Sequence, residues 1–312
     1  MPLLKLVPDN TNIDFLRWRW FAIIVSTSLI AASIFFIATW GLNLGVDFAG
    51  GQMVRVTLTK PVPIEDLRAR IGQLDLGDAS IQQFGSPTEV AIRMPLPKGD
   101  ANQAADRVKG AIRSLDSSAR FDAVETVSGK VSEELFTAGG LSLLLAMLGI
   151  AAYIWVRFEW QFGVGALVSL IHDLTIVIGF FALTQMEFNL NVIAALLTLI
   201  GFSLNDTVVV YDRIRENLKK YRKMAIEPLL NLSVNETLAR TVATNTAVFL
   251  AILALVLIGP EIIRGLTVGI LVGVIIGTYS SIYVARFVLV PLGVTADSFL
   301  HYEDTPGTPG KA

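Results

Sequence analysis

Six long apolar segments dominate the pattern of hydrophobic and polar positions along this chain. Each has close to the roughly 20 apolar residues that a helix needs to cross a hydrocarbon core about 30 Å thick. We therefore predict a membrane protein with six spanning helices. The predicted spans are residues 20–40, 135–156, 161–184, 190–211, 241–259 and 265–290, with flanking segments 1–19 and 291–312.

The polar stretch 41–134 between the first two spans is long enough to fold on its own. Its alternating segments predict strands at 52–59, 79–84, 88–94 and 121–127, and helical spacing predicts helices at 63–74 and 101–115. This order is typical of a ferredoxin-like split motif. The predicted fold is thus a membrane all-α six-helix bundle with an inserted α+β ferredoxin-like domain. Because that fold hosts unrelated functions, we expect a docking or substrate-contact module, with an enzymatic domain as the alternative.

Lysine and arginine are concentrated on one side of the predicted spans. The short connections 185–189 and 260–264 contain only Arg264, whereas the segment after the fourth span is rich in both residue types. Short cytoplasmic loops carry the excess of positive residues. We therefore place both termini in the cytoplasm, together with 212–240, a loop that includes the start of the fifth helix. The domain 41–134 is placed on the opposite side.

Composition removes several classes of function. The chain has 53% hydrophobic residues, no cysteine, two histidines and a formal net charge of −2. Without cysteine there is no disulfide framework, thiolate metal site or cysteine nucleophile, and the near-neutral charge gives no reason to expect nucleic-acid binding. No Gly-Lys-Ser/Thr phosphate loop is present. We expect no metal, no cofactor and no enzymatic activity.

Ionisable side chains inside the predicted spans are the candidates for chemistry, because each costs about 2.5–3.5 kcal/mol to insert. Asp206 lies in the fourth span and Arg240 near the start of the fifth, which runs in the opposite direction. We predict an ion pair in which the guanidinium and burial oppose each other, so that the carboxylate can load and release a proton. The alternatives are a static pair that fixes helix packing, or an Arg240 side chain that extends to the interface.

The third span carries His172 and Asp173 near its middle. A histidine beside a carboxylate in hydrocarbon is suited to relaying protons, since its unperturbed pKa of about 6.5 is close to physiological pH. Adjacent residues point about 100° apart on a helix, however, so only one of the two is expected to face a pathway. A proton relay and a hydrogen-bonded packing role are both open.

Glycines recur every four residues along the sixth span, at Gly265, Gly269, Gly273 and Gly277. This spacing predicts the close approach of another helix, either from this chain or from a partner.

Several segments together resemble the SecF family of bacterial protein-export subunits. Residues 45–51 (GVDFAGG) look like its signature after the first span, and 171–173 (IHD) resemble its His-Asp element. Residues 201–217 (GFSLNDTVVVYDRIREN) match its most specific motif, and 233–241 (SVNETLART) resemble the segment that opens its fifth span. The motif residues are Asp47, Gly50, Gly51, Gly201, Asn205, Asp212 and Arg213, in addition to Asp206.

The resemblance implies a subunit of the bacterial inner membrane that works with SecD and the SecYEG channel, with YajC and YidC as further candidate partners. It implies use of the proton-motive force to promote export of unfolded secretory polypeptides, and a periplasmic location for residues 41–134. Asp206 and Arg240 fall at family positions linked to proton passage. Two other functions are open: a proton-driven small-molecule exporter of the related resistance-nodulation-division type, and a scaffold of the translocon that transports nothing.

Overall fold

The computed structural model describes residues 7–8, 11–15, 17–77, 79–83, 86–96 and 101–294 of the chain. Parts of the predicted flanking segments 1–19 and 291–312 therefore lie outside the described residues. Two compact units are present. The sheet unit comprises Leu42–Ser142 and Thr184–Ile193, and the helical unit comprises the other described residues.

The helices and strands alternate along the chain only in the sheet unit. The helices are α1 (Arg19–Thr39), α2 (Val46–Ala49), α3 (Ile64–Gly72), α4 (Ala101–Arg113), α5 (Gly129–Arg157), α6 (Trp160–Thr184), α7 (Leu190–Lys220), α8 (Ile226–Ile258), α9 (Arg264–Ile282) and α10 (Val284–Phe287). The strands are β1 (Gly51–Thr57), β2 (Ser80–Gln83), β3 (Glu89–Met94) and β4 (Arg120–Val127).

Six helices in the described part of the chain are long and apolar enough to cross a membrane, which confirms the predicted number. They are α1, α5, α6, α7, α8 and the stretch Arg264–Phe287 formed by α9 and α10. Within the structure α6 and α7 are the most buried of these, whereas α1, α5 and α8 bury little of their surface. Polar residues of α6 and α7, such as Asp173 and Asp206, are therefore held among neighbouring helices.

The connection between the fourth and fifth spans is shorter than the predicted segment 212–240 suggests. Helix α7 continues to Lys220 and α8 begins at Ile226. Ser233, the first residue of the segment 233–241 that resembles the opening of the family's fifth span, lies inside α8, where its hydroxyl donates to the carbonyl of Leu229 at 2.8 Å. A serine within a helix commonly bonds to the carbonyl four residues earlier, so Ser233 does not mark a helix start.

The sheet unit contains a small antiparallel sheet with β1 at its centre. Strand β1 pairs with β3 and β4, and β2 pairs with β3, which gives the order β2-β3-β1-β4. Alternate residues of a strand point to opposite faces. Val54 and Val56 of β1 are thus fully buried together with Leu67 of α3 and Val108 of α4, so both helices cover the same face of the sheet.

The glycine row of α9 packs against α7 of this same chain. A Cβ atom on Gly273 would lie 2.7 Å from Cδ1 of Leu199, and one on Gly277 would lie 3.3 Å from Cβ of Ser203. The glycines of α9 and the residues of α7 that they contact each recur every four residues, which is a ridge spacing of helices that pack together. The close approach fixes the rotation of α7 about its axis, and with it the direction in which the polar residues of α7 point.

Candidate functional site

Asp206 lies on α7 and is 4% exposed. Its Oδ2 accepts a hydrogen bond from Nδ2 of Asn245 on α8 at 2.7 Å. The same amide nitrogen lies 2.7 Å from Oγ1 of Thr278 on α9, and the Thr278 hydroxyl donates to the carbonyl of Val274 at 2.6 Å. A buried carboxylate needs such donors because water is excluded. Three helices therefore meet around the Asp206 carboxyl group.

Arg240 is not the partner of Asp206, so the predicted ion pair is wrong for this structure. Among the described residues no pair within 4.0 Å joins the two side chains, and Arg240 is exposed. Asn245 follows Arg240 by five residues, which turns it about 140° around the axis of α8. The face with Thr241 and Asn245 is buried, whereas the face with Arg240 and Thr244 is exposed.

The second buried carboxylate, Asp173 of α6, has zero exposure and is surrounded by donors. Nδ1 of His172 lies 2.9 Å from its Oδ1, and the hydroxyls of Ser203 and Ser280 donate to its Oδ2 at 2.6 and 2.7 Å. The imidazole folds back onto the neighbouring carboxylate, so both residues of the His-Asp pair are buried in spite of their different directions on the helix. This cluster ties α6, α7 and α9 together.

His172 keeps one ring nitrogen without a hydrogen-bond partner in the described part of the chain. That atom is Nε2, which is buried, while the ring stacks on Tyr279 with centroids 6.1 Å apart. The Tyr279 hydroxyl in turn donates to the carbonyl of Ala22 at 2.7 Å and lies 2.9 Å from Oγ of Ser26. The first span is thereby joined to the same polar region.

The two carboxylate clusters share helices rather than side chains. Ser203 and Asp206 are three residues apart on α7, and Thr278 and Ser280 are two apart on α9. A rotation or shift of α9 relative to α7 would therefore change the hydrogen bonds of both carboxylates together.

The signature residues after the first span lie in the sheet unit. Asp47 accepts a hydrogen bond from the backbone N–H of Leu190, the first residue of α7, at 3.0 Å. Gly50 and Gly51 have φ angles of 68° and 111°, which favour glycine. A Cβ atom on Gly51 would also lie 2.6 Å from the carbonyl oxygen of Met94. The two glycines turn the chain from α2 into β1.

The other motif residues lie outside the buried clusters. Gly201 and Asn205 are exposed on α7, and a Cβ atom on Gly201 would meet nothing within 4 Å. Asp212 lies 3.6 Å from Arg157, and Arg213 lies 3.2 Å from Glu216. Ion pairs at such half-exposed positions contribute little to stability.

Sequence reasoning missed the polar partners on α8 and α9. Asn245 follows Thr241 by four residues, and this spacing marks a polar strip inside a predicted span. Ser280 follows the last glycine of the packed row by three residues, which places it near the helix that those glycines contact. Both signals were present, but neither identified which carboxylate each side chain would meet.

A third carboxylate, Glu187, lies in the turn between α6 and α7 and was also missed. It pairs with Arg55 of β1 at 3.2 Å, and Glu125 of β4 lies 3.7 Å from the same guanidinium. Burial, the larger influence, raises the pKa of Glu187, while the Arg55 guanidinium lowers it. The described residues hold no group of three or more His, Cys, Asp or Glu side chains that could bind a metal ion.

Comparison with known proteins decides the family. Residues 107–295 match the family model described as protein export membrane protein SecD/SecF, C-terminal, and residues 35–62 match the SecD/SecF GG motif. The protein translocase subunit SecF of Cereibacter sphaeroides is 44% identical over 93% of each chain. The chain belongs to the SecF family. The SecF of Calditerrivibrio nitroreducens is 42% identical, over 90% of this chain and 94% of that protein.

Solved structures agree with the SecF assignment. The crystal structure of SecDF, a translocon-associated membrane protein from Thermus thermophilus, matches with a TM-score of 0.85 and 33% identity over 92% of this chain. SecDF in a super-membrane-facing form matches with a TM-score of 0.68 and 31% identity. This SecF chain covers 39% and 41% of those two chains. The resemblance that the sequence motifs indicated is confirmed, and the chain is an integral membrane protein of a protein-export family.

Proposed function

We propose that this chain is the SecF-type subunit that uses the proton-motive force, together with SecD, to promote export of polypeptides across the bacterial inner membrane. The observation that carries the proposal is the Asp206 carboxyl group, buried within a membrane span and held by an uncharged amide. A buried ion pair would hold the carboxylate ionised, whereas a neutral partner lets it exist with or without a proton. The chain thus acts as a coupling subunit rather than as an enzyme.

Asn245 is able to serve both protonation states of Asp206. Its Nδ2 donates to the ionised carboxylate, and its Oδ1 is buried without a hydrogen-bond partner in the described part of the chain. A half-turn of the amide exchanges the two atoms, so that Oδ1 accepts from the protonated carboxyl group. Asn245 therefore supplies a donor before proton uptake and an acceptor after it.

The energies involved are of the same size. A hydrogen bond to a charged group contributes about 1.5–3 kcal/mol. The membrane potential supplies about 2.3 kcal/mol per charge per 100 mV. A potential of ordinary size can thus break or restore one such bond, which is what a repeating cycle at Asp206 needs.

Asp173 and His172 have different proposed roles. Asp173 accepts from two serine hydroxyls and contacts the imidazole, so taking up a proton would disrupt bonds that join three helices. We assign Asp173 to helix packing. His172, with its unpartnered Nε2, is the relay candidate of the pair. Arg240, exposed on α8, is proposed to face a partner subunit or the lipid interface rather than Asp206.

The orientation and partners are part of the same proposal. The lysine and arginine distribution supports cytoplasmic termini and a periplasmic sheet unit. A cysteine introduced at Gln103 should therefore react with impermeant reagents from the periplasmic side, and labelling only from the cytoplasm contradicts this orientation. This chain matches 39% of the length of a SecDF chain, which supports SecD as the partner. SecYEG, YajC, YidC and the unfolded polypeptide stay predictions.

We also propose that the sheet unit is ferredoxin-like. The order β1-α3-β2-β3-α4-β4 and the antiparallel sheet order β2-β3-β1-β4 support this assignment. A domain of this kind would offer a docking or substrate-contact surface on the exported side.

Replacing Asp206 with asparagine tests the proposal, because asparagine keeps the size of the side chain and cannot take up a proton. Export of a secretory precursor that depends on the proton-motive force should be lost, with normal amounts of the chain in the membrane. The control is Glu227→Gln, at the half-exposed ion pair with Arg19 in the first turn of α8 and outside the family motifs, which should export normally. Normal export and proton sensitivity in Asp206→Asn would favour the scaffold. If Asp206→Asn abolished the export of small molecules but not the export of polypeptides, the small-molecule exporter would be favoured.

A further inference from the structure

The segment after α1 and the turn before α7 are joined through their backbones in the sheet unit. Leu44 and Phe188 form a parallel bridge. The N–H of Gly45 donates to the carbonyl of Phe188 at 2.9 Å, and the N–H of Phe188 donates to the carbonyl of Asn43 at 2.8 Å. These two pieces of chain, separated by two membrane spans in sequence, therefore form one connected element.

The first N–H groups of α7 are satisfied from two sources. A helix start leaves four such groups without partners inside the helix. Asn189 accepts from two of them, through its side chain from Asn191 and through its carbonyl from Val192, and the same carbonyl accepts the first i→i−4 bond of the helix from Ile193. The N–H of Leu190 donates instead to the carboxylate of Asp47, from the distant signature segment. A negative group at this position also interacts favourably with the helix dipole.

The same turn is held to the sheet by charge. Glu187 pairs with Arg55 in the central strand β1, and the Arg55 side chain is only 11% exposed. Asn43 donates from its side-chain amide to the carbonyl of Gln185 at 2.8 Å. Together with the Asp47 contact, these bonds attach the start of α7 to the sheet from both sides of the turn.

We propose that Asp47 is a positioning residue that holds the start of α7, Leu190–Ile193, in place beside the sheet within the sheet unit. Helix α7 is continuous from Leu190 to Lys220. Asp206 lies sixteen residues after Leu190, which is about 24 Å along the helix axis. The inference rests on the proposed function, since Asp206, the carboxylate proposed to take up the proton, lies on the helix whose start Asp47 positions.

The contact can be removed from either side. Asp47→Ala removes the acceptor, and Asp47→Asn keeps an acceptor oxygen but removes the charge. Leu190→Pro removes the donor, and proline is well tolerated at the first position of a helix because its missing N–H has no partner within the helix. Asp66→Ala is the matched control, since Asp66 is an exposed acidic residue in the first turn of α3 in the same unit.

The test uses the full chain with SecD in native membranes and measures export driven by the proton-motive force. Asp47→Ala should lower export about fivefold, which corresponds to the roughly 1 kcal/mol of a typical helix cap. Asp47→Asn should lower it by less, and Asp66→Ala should leave it unchanged. In the Leu190→Pro background, Asp47→Ala should have no further effect, because the donor is already absent.

Amide hydrogen exchange of residues 190–193 in the purified chain gives a second readout that does not depend on proton coupling. It should be faster in Asp47→Ala than in the unmodified chain. The inference is overturned if Asp47→Ala leaves the exchange of residues 190–193 unchanged. It is also overturned if Asp47→Ala lowers export equally in the unmodified and the Leu190→Pro backgrounds. Full export in Asp47→Ala beside lost export in Asp206→Asn also overturns it and leaves the proposed function intact. Lost export in Asp47→Ala beside full export in Asp206→Asn would support the positioning role of Asp47 and would contradict the proposed function.

Discussion

Replacing Asn245 with leucine removes the side-chain hydrogen bond that Asp206 accepts, with little change in volume. Asn245 is 5% exposed, so the substitution acts inside the helical unit rather than at its surface. Leucine offers neither the donor needed by the ionised carboxylate nor the acceptor needed by the protonated one. Thr278 loses the same amide but keeps its bond to the carbonyl of Val274. The effect should therefore be concentrated on Asp206.

The magnitude follows from the geometry of that bond. The distance of 2.7 Å between Nδ2 and Oδ2 is typical of a hydrogen bond to a charged group, which contributes about 1.5–3 kcal/mol. Leucine also removes the acceptor proposed for the protonated form, a neutral hydrogen bond of about 0.5–1.5 kcal/mol, so the net shift is about 1–1.5 kcal/mol. Since about 1.4 kcal/mol corresponds to a factor of ten, the ionised form of Asp206 should become about 5 to 10 times rarer relative to the protonated form. Proton release, and export with it, should slow by a similar factor.

Two measurements check this prediction. A hydrophobic carbodiimide reacts with protonated carboxyl groups in membranes, so labelling of Asp206 at neutral pH, read by mass spectrometry, should increase in Asn245→Leu. Export of a secretory precursor should fall in the same membranes. The control is Thr244→Val, one residue earlier on the exposed face of α8, where the hydroxyl donates to the carbonyls of Arg240 and Thr241 in its own helix. Unchanged labelling and export in Asn245→Leu would refute the two-state role of this amide.

Two further predictions concern stability. Gly273→Ala should lower the stability of the purified chain by about 1–3 kcal/mol, because the added Cβ would lie 2.7 Å from Leu199. In thermal unfolding, adding Leu199→Ala to this variant should restore part of the loss. If Gly273→Ala alone left the stability unchanged, that would contradict the close α7–α9 contact. Burial raises the pKa of Glu187 in the folded chain above its ordinary 4.5, so the folded chain binds a proton at Glu187 more tightly than the unfolded chain does. The contribution of Glu187 to the free energy of unfolding is therefore present at low pH and is lost as the pH rises through the raised pKa. Glu187→Gln should remove this dependence in unfolding scans at several pH values, and a chain whose Glu187 contribution grows with pH would disprove the assignment.

The sequence was sufficient wherever local geometry sets the pattern. The number of spanning helices follows from their length and apolar composition, since a helix in hydrocarbon must satisfy its own backbone groups. The strands β1, β3 and β4 follow from side-chain alternation, because the residues that face α3 and α4 occur at every second position. The family followed from motifs such as 201–217, which are read directly from the order of residues.

The start of α8 shows where local signals mislead. Ser233 and Glu236 have the spacing of a capping box, but both lie inside a helix that begins at Ile226. Leu229 and Leu230, just after that start, are fully buried in the helical unit. Packing of these leucines stabilises two more helical turns than the capping pattern predicts.

The sequence by itself identified Asp206, His172 and Asp173 as buried ionisable residues, because charged and titratable groups are rare within apolar spans. It did not identify Arg286, which is also fully buried. Only the tertiary structure decided the partners of the first three. Helix α8 carries polar residues on more than one face, so its sequence does not state which face turns inward. The choice of Asn245 over Arg240 depends on how α7, α8 and α9 pack. The sequence likewise could not give the partner of Asp47. The N–H of Leu190, from which Asp47 accepts a hydrogen bond, lies 143 residues away and reaches it only when the chain has folded.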